Sequence, residues 1–240
     1  MKNNYIFVVL VFLLLIGEIF TFIKTGDGTM SLLDFIFREL VNVALAILYY
    51  KQQGSKLNMV QIKFLITILI PLLLGLSRFI FTALIAIKIN TVLYLVIYAL
   101  WLNILKSLGT QFNKFRFPRT YYLLVPIIFI IPFLNYFLVI LPMEDIQIKI
   151  SSFLFALFAA CTCVFVMFLP PTKNLYDRYL IIFGIWLTEF IHIMQSYFVF
   201  NSEIFFIYPF VRILQTVSYM SLIFGMTSYY KPYSGIIIEN

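Results

Sequence analysis

The sequence predicts an all-α fold, a polytopic membrane bundle of eight transmembrane helices with both termini in the cytoplasm, and three observations lead there. Of the 240 residues, 63% are hydrophobic and only 11% charged, with a mean hydropathy of +1.02, well beyond the apolar share of a soluble domain. Apolar stretches of about 20 residues, enough to cross the hydrocarbon of a bilayer as a helix, recur along the whole chain with no long polar block. One membrane domain over residues 1–240 is therefore expected. The basic residues stand singly between these stretches, as topology signals do, so the net charge of +7 does not point to nucleic acid.

The expected spans are 4–23, 31–50, 64–87, 89–105, 120–142, 150–169, 179–199 and 204–229. The first ends at Lys24 and Thr25 without a small-residue cleavage site and reads as a retained helix rather than a signal peptide. The second carries Asp34, Arg38 and Glu39 near its start and closes on Tyr49 and Tyr50. The third and fourth part at Lys88. The fourth is short for a crossing, with Asn90 at its interfacial start and Tyr94, Tyr98 and Trp101 on one face, an aromatic stripe that reads as packing. In the fifth, Pro126 and Pro132 predict a kink, and Asn135 beside Tyr136 a helix contact. The sixth holds Cys161 and Cys163 on divergent faces, from which neither a disulfide nor a metal site follows, and the single histidine of the chain argues against a multi-histidine metal centre. No cofactor is expected.

An even number of spans puts both ends on one side. That side holds Lys2, Lys51, Lys56, Lys63, Lys106, Lys114, Arg116, Arg119, Lys173, Arg178 and Lys231, against Lys24, Lys88 and Lys149 opposite, so it is the cytoplasmic one. A multi-pass protein of a bacterial inner membrane is the expected location.

The seventh and eighth spans carry most of the chemistry. Glu189, His192 and Ser196 stand at i, i+3 and i+7, and so do Arg212, Gln215 and Tyr219, giving each helix one polar stripe. Thr188 and Gln195 add to the first. A carboxylate and a guanidinium are costly in hydrocarbon unless paired, which makes Glu189 opposite Arg212 the first expected contact. Counted by depth, Glu18, Arg38, Glu39, Arg78, Glu189 and Arg212 all fall in the middle or outer half. With Asp34 they make four acids and three bases, nearly neutral together, as a shared polar cavity requires. Glu189 and Arg212 are expected in that cavity, reached by at least one of Glu18, Glu39 or Arg78. Asp34 with Arg38, at i and i+4, reads as a local solvated pair. Gly75 with Ser77, Arg78, Phe79 and Ile80 is echoed by Gly184 with Thr188, Glu189, Phe190 and Ile191, as a parallel four-plus-four duplication would leave.

This layout resembles the YhhN-like family of eight-span membrane proteins, which includes lysoplasmalogenases. Arg38, Glu39 and Leu40 stand where the family has a Lys-Pro-Leu element, and Tyr49 and Tyr50 resemble its Tyr-Tyr ending. Thr188 and Glu189 match its seventh-helix Ser-Asp, and Gln215 its eighth-helix Gln. Its third-helix Gly-Asp is here Gly75 and Leu76, so one acid of two is absent, and Arg78 is the nearest charge. The resemblance implies a lysophospholipid hydrolase acting on a vinyl ether, with a membrane lipid or lysolipid as partner. That chemistry protonates a carbon and then delivers water, work that two carboxyl groups share. Glu189 is the candidate proton donor and Glu18 or Glu39 the candidate second acid. Arg38, Arg78, Thr188, His192, Arg212 and Gln215 are candidate substrate-binding residues, the arginines suited to a headgroup phosphate. The alternative is a catalytically inactive lipid-binding or sensory protein of the same fold. A carrier is disfavoured, because spans seven and eight lack midspan breaks.

Overall fold

The computed structural model describes residues 2–25, 31–54, 56–110, 112, 119–142, 144–170, 175–201 and 204–229, with the side chains of 2–4, 25, 78, 83, 84, 197–201 and 204–206 outside the description. The described residues form eight α-helices and no strand. They are α1 (Lys2–Thr25), α2 (Leu32–Gln53), α3 (Met59–Ile80), α4 (Ala83–Ser107), α5 (Arg119–Asn135), α6 (Ile146–Met167), α7 (Leu175–Asn201) and α8 (Ile204–Tyr229). A π-helical turn, Tyr136–Ile140, continues α5. Seven helices are long and apolar enough to cross a membrane. The eighth, α2, has 22 residues, but its first half carries Asp34, Arg38 and Glu39, of which Asp34 and Arg38 are buried.

The helices obey a membrane pattern, with apolar side chains outward and the polar ones inside. On α1, Val11, Leu15, Glu18 and Phe22 form the buried stripe at helical spacing, while Leu13, Ile16, Phe20 and Ile23 face out. On α7 the buried stripe is Ile182, Ile185, Glu189 and His192, and Phe183, Trp186 and Phe190 lie on the outer face. The largest core cluster draws on α1 to α4 and α6 to α8, with Phe64 edge-on to both Tyr49 (4.6 Å) and Trp101 (5.4 Å) near its middle. By contrast α5 leans mainly on α6 and keeps Leu123, Ile127, Ile130 and Leu134 exposed.

Consecutive helices pack as neighbours through α4 and again from α5 to α8, and the two sets meet where α4 packs on α6 and α8 on α2. These two closures correspond under the four-plus-four duplication that the Gly75 and Gly184 segments suggest. The glycines themselves serve close packing. A β-carbon on Gly75 would collide with the carboxylate of Glu39, and one on Gly184 would fall 2.5 Å from Leu222 Cγ.

The break between α3 and α4 lies at Phe81 and Thr82, not at Lys88. The sequence is apolar on both sides of the true break, so hydropathy does not mark it. As a result α4 is 25 residues long, ample for a crossing. Asn90 is buried rather than interfacial and accepts a hydrogen bond from Ser77 Oγ at 2.6 Å. Asp34 also differs from expectation. It closes a capping box with Ser31 at the start of α2, its Oδ2 accepting from the Ser31 amide at 2.9 Å, instead of pairing with Arg38 in solvent. Arg178, expected at the cytoplasmic surface, is buried and donates to the Met167 carbonyl at 2.7 Å, tying α7 to the end of α6.

The tightest helix pair is α7 with α8. Ser218 Oγ donates to the Gly184 carbonyl at 2.7 Å, and a β-carbon on Gly225 would sit 3.0 Å from the Asp177 carbonyl oxygen and 3.1 Å from the Ile181 amide nitrogen. Small residues bring helix backbones together in this way where lipid offers no hydrophobic drive for association. Those neighbours of Gly225 are backbone atoms and cannot swing aside. Gly225→Ala is expected to lower stability by about 1–3 kcal/mol, whereas Gly75→Ala, facing the movable end of Glu39, costs less. Unfolding of both variants in bicelles measures the order.

Candidate functional site

The polar residues assemble into two clusters, on opposite sides of the expected single site. The first joins α1, α2 and α8. Glu18, fully buried, accepts from Arg212 Nε at 2.5 Å, from Arg212 Nη2 at 3.0 Å and from the Tyr208 hydroxyl at 2.6 Å. Arg212 also donates through Nη1 to Gln215 Oε1 at 2.5 Å. From α2, Glu39 accepts from Asn42 Nδ2 at 3.1 Å, and Arg38 Nε lies 3.6 Å from Glu39 Oε1. The expected pairing of Glu189 with Arg212 is thus replaced by Glu18 with Arg212. A two-toothed carboxylate contact satisfies a guanidinium better than a single one, and the buried stripes of α1 and α8 bring these two side chains together.

The second cluster joins α4, α6 and α7. Glu189, 4% exposed, accepts a 2.5 Å hydrogen bond from the Tyr98 hydroxyl on Oε2, while its Oε1 is buried with no hydrogen-bond partner among the described residues. The same hydroxyl lies 2.9 Å from His192 Nδ1. The His192 ring packs 4.4 Å from Tyr94 and 5.9 Å from Phe155. One hydroxyl between a carboxyl group and an imidazole can bond in two directions. When it donates to a Glu189 carboxylate it accepts from His192 Nδ1–H, and when Glu189 is protonated it accepts from Glu189 and donates to His192. The three groups can hand a proton along the row in either sense.

His192 lines a cavity of about 340 Å³ between α4, α5, α6 and α7. Asn90, Asn135, Gln195 and Ser196 are on its polar part, and Ile87, Pro132, Ile140, Ile148 and Phe155 on its apolar part. Asn135 Oδ1 accepts from Ser196 Oγ at 2.8 Å, the helix contact expected of it, here on the cavity wall. At one end of this region Lys88 Nζ pairs with Asp145 Oδ2 at 2.8 Å and donates to Gln147 Oε1 at 2.8 Å, holding the starts of α4 and α6 together beside Ile87 and Ile148. Between the clusters stands Tyr219, hydrogen-bonded to Gln215 and within electrostatic reach of both Arg212 and Tyr94.

Of the nine candidate residues, then, only His192 lines this cavity, with Glu189 behind it through Tyr98. Glu18, Glu39, Arg38, Arg212 and Gln215 belong to the other cluster. The expectation that Glu189 and Arg212 share the cavity therefore fails. Thr188 is taken up in packing, with its hydroxyl 2.9 Å from the Gly184 carbonyl and 2.6 Å from Ser218 Oγ. Arg78 lies in the last turn of α3, and its side chain is outside the described residues. Tyr98, Tyr94 and Tyr208 were not singled out as site residues. The available signal was their hydroxyls, since a Tyr in a buried stripe needs a partner where a Phe does not. Tyr208 also precedes Arg212 by one helical turn.

Compared with models of known families, with curated proteins and with solved structures, the chain has no match.

Removing one partner of a buried ion pair strands the other. Arg212→Leu is expected to cost about 3–5 kcal/mol, with much of it recovered in the Glu18→Leu, Arg212→Leu double variant. Arg178→Leu, which loses the charge-assisted bond to the Met167 carbonyl and the contacts with the Tyr121 and Tyr179 rings but strands no buried carboxylate, costs about 1.5–3 kcal/mol. A double-variant cycle read by unfolding in bicelles measures this. The Lys88 clamp has a pH signature. The hydrogen bond from Lys88 holds the Asp145 carboxyl below its ordinary value of 3.8, helped by the Ile148 and Gln147 amides. The clamp therefore contributes fully above pH 3.8 and is lost as pH falls through the lower folded value. Melting curves should show Asp145→Asn less stable than the parent at neutral pH, with the gap closing below pH 3.8.

Proposed function

We propose that this protein is a multi-pass membrane protein that binds a single-chain lipid in the cavity between α4 and α7. The observation that carries the reading is the cavity's mixed wall, a polar part of Asn90, Asn135, His192, Gln195 and Ser196 next to an apolar part of Ile87, Ile140, Ile148 and Phe155. Such a wall suits an amphiphile. At about 340 Å³ the cavity is near the small end of ligand sites, room for a head group and the first carbons of a chain. The excess of basic residues flanking the terminal side supports cytoplasmic termini in this reading, and an inner membrane as the location.

The second reading is hydrolysis of a vinyl ether, as the YhhN-like resemblance implies, and the row Glu189, Tyr98, His192 favours it. A proton passed to the vinyl carbon gives an oxocarbenium ion; water adds at the charged carbon and returns a proton to the row. The resulting hemiacetal breaks into a fatty aldehyde and an alcohol, so one water is consumed and the acid is regenerated. Against this reading, no carboxylate lines the cavity among the described residues. Yet the Glu39 carboxylate lies against Gly75, beside Leu76, which stands in place of the family's acid.

One experiment separates the two. Purified protein in nanodiscs is given a vinyl-ether lysophospholipid and the corresponding alkenylglycerol, and both melting temperature and aldehyde release are followed. A melting shift without aldehyde supports binding alone. Aldehyde release that disappears in Glu189→Gln and Tyr98→Phe supports hydrolysis. No shift and no product with either lipid removes the proposal.

A further inference from the structure

The cavity offers donors without charge. We infer that it selects an uncharged head group, that of a single-chain lipid presenting hydroxyl, ether or ester oxygens and no phosphate. This rests on the single-chain lipid reading and narrows it to a chemical class.

Among the described residues the lining contains no Lys, Arg, Asp or Glu, and His192 is its one titratable base. Three of the described cations are engaged elsewhere, and Lys149, next in sequence to the lining residue Ile148, is not itself part of the wall. Arg212 is held by Glu18, and Arg38 stands beside Glu39. Lys88, next in sequence to the lining residue Ile87, is bound by Asp145 and Gln147. The acidic group nearest the polar part is Glu189, behind Tyr98, which adds no attraction for an anion. A phosphate moved from water into this wall would lose its hydration and gain no counter-charge.

Two carboxamides supply the positive side of the recognition. Asn90 Oδ1 is occupied by the Ser77 hydroxyl at 2.6 Å, and Asn135 Oδ1 by the Ser196 hydroxyl at 2.8 Å. Each amide turns its NH₂ away from its serine, whose hydroxyl also lies 2.9 Å from the Leu74 or the Ile193 carbonyl, and among the described residues no hydrogen bond engages either NH₂. Both residues line the cavity, one from α4 and one from the end of α5. Two N–H donors match acceptor oxygens such as those of a glycerol ether or ester.

The test uses the full chain in nanodiscs with a diazirine-tailed 1-O-alkylglycerol, its phosphate ester and its phosphocholine ester, at equal mole fraction. Photocrosslinking yield is quantified, with peptide mapping to α4–α7. The expected result is roughly tenfold or more labelling by the alkylglycerol than by either phosphate-bearing probe, the factor that about 1.4 kcal/mol produces. Asn135→Leu should remove that labelling. Gln195→Arg, which adds a cation to the wall, should turn the preference toward the phosphate ester. Equal or stronger cavity labelling by a phosphate-bearing probe in the parent protein overturns the inference while leaving the single-chain lipid reading intact. Absence of cavity labelling by all three overturns both.

Discussion

The ion pair of Glu18 with Arg212 constrains everything else in this bundle. It lies at full burial in a chain surrounded by hydrocarbon, and it ties the first helix to the last. Neither group tolerates separation at that depth, so α1 and α8 must dock in one register for the pair to form. The contact between α1 and α8 is otherwise slight. With Tyr208, Gln215 and the neighbouring Glu39 and Arg38, the pair gathers two acids and two bases into a patch close to neutral.

That gathering has a chemical consequence in the second cluster. Because Arg212 is consumed by Glu18, no guanidinium among the described residues stands against Glu189, which has a phenol as its hydrogen-bond partner. A carboxyl group in those surroundings exchanges its proton with a neutral phenol and imidazole rather than pairing with a fixed charge. The structure thus separates two tasks. One cluster cancels charge and holds the helices; the other keeps a lone acid in proton contact with a cavity. Tyr219, one turn beyond Gln215 and within electrostatic reach of both Arg212 and Tyr94, is where a disturbance of one would be felt by the other.

The sequence makes the helix count and most span limits legible, because a run of about 20 apolar residues admits little besides a crossing helix. It fails at Phe81 and Thr82, where the chain turns inside a continuous apolar stretch. The site was legible in part. Glu189, His192, Arg212 and Gln215 stand out because buried polar groups in hydrocarbon need partners, but which partner each finds depends on helix rotation and neighbour order. Glu18 and Glu189 are equally reasonable mates for Arg212 by depth, and packing on α8 decides between them. Tyr98 stayed hidden because a tyrosine fits a packing stripe as well as a proton row. The Asn90 and Asn135 amides belong to helices far apart in sequence, and no spacing rule links them.

The fifth helix has a consequence for how anything enters. Pro126 and Pro132 remove two amide donors from it, and its last turn widens into a π-helix at Tyr136–Ile140. The same stretch forms one wall of the cavity through Pro132, Asn135, Tyr136 and Ile140, and its outer face is exposed and apolar. A helix short of two backbone donors therefore stands between the cavity and the surrounding acyl chains. For the lipid proposed above, a path through that wall would run sideways within the leaflet, with no aqueous phase to cross.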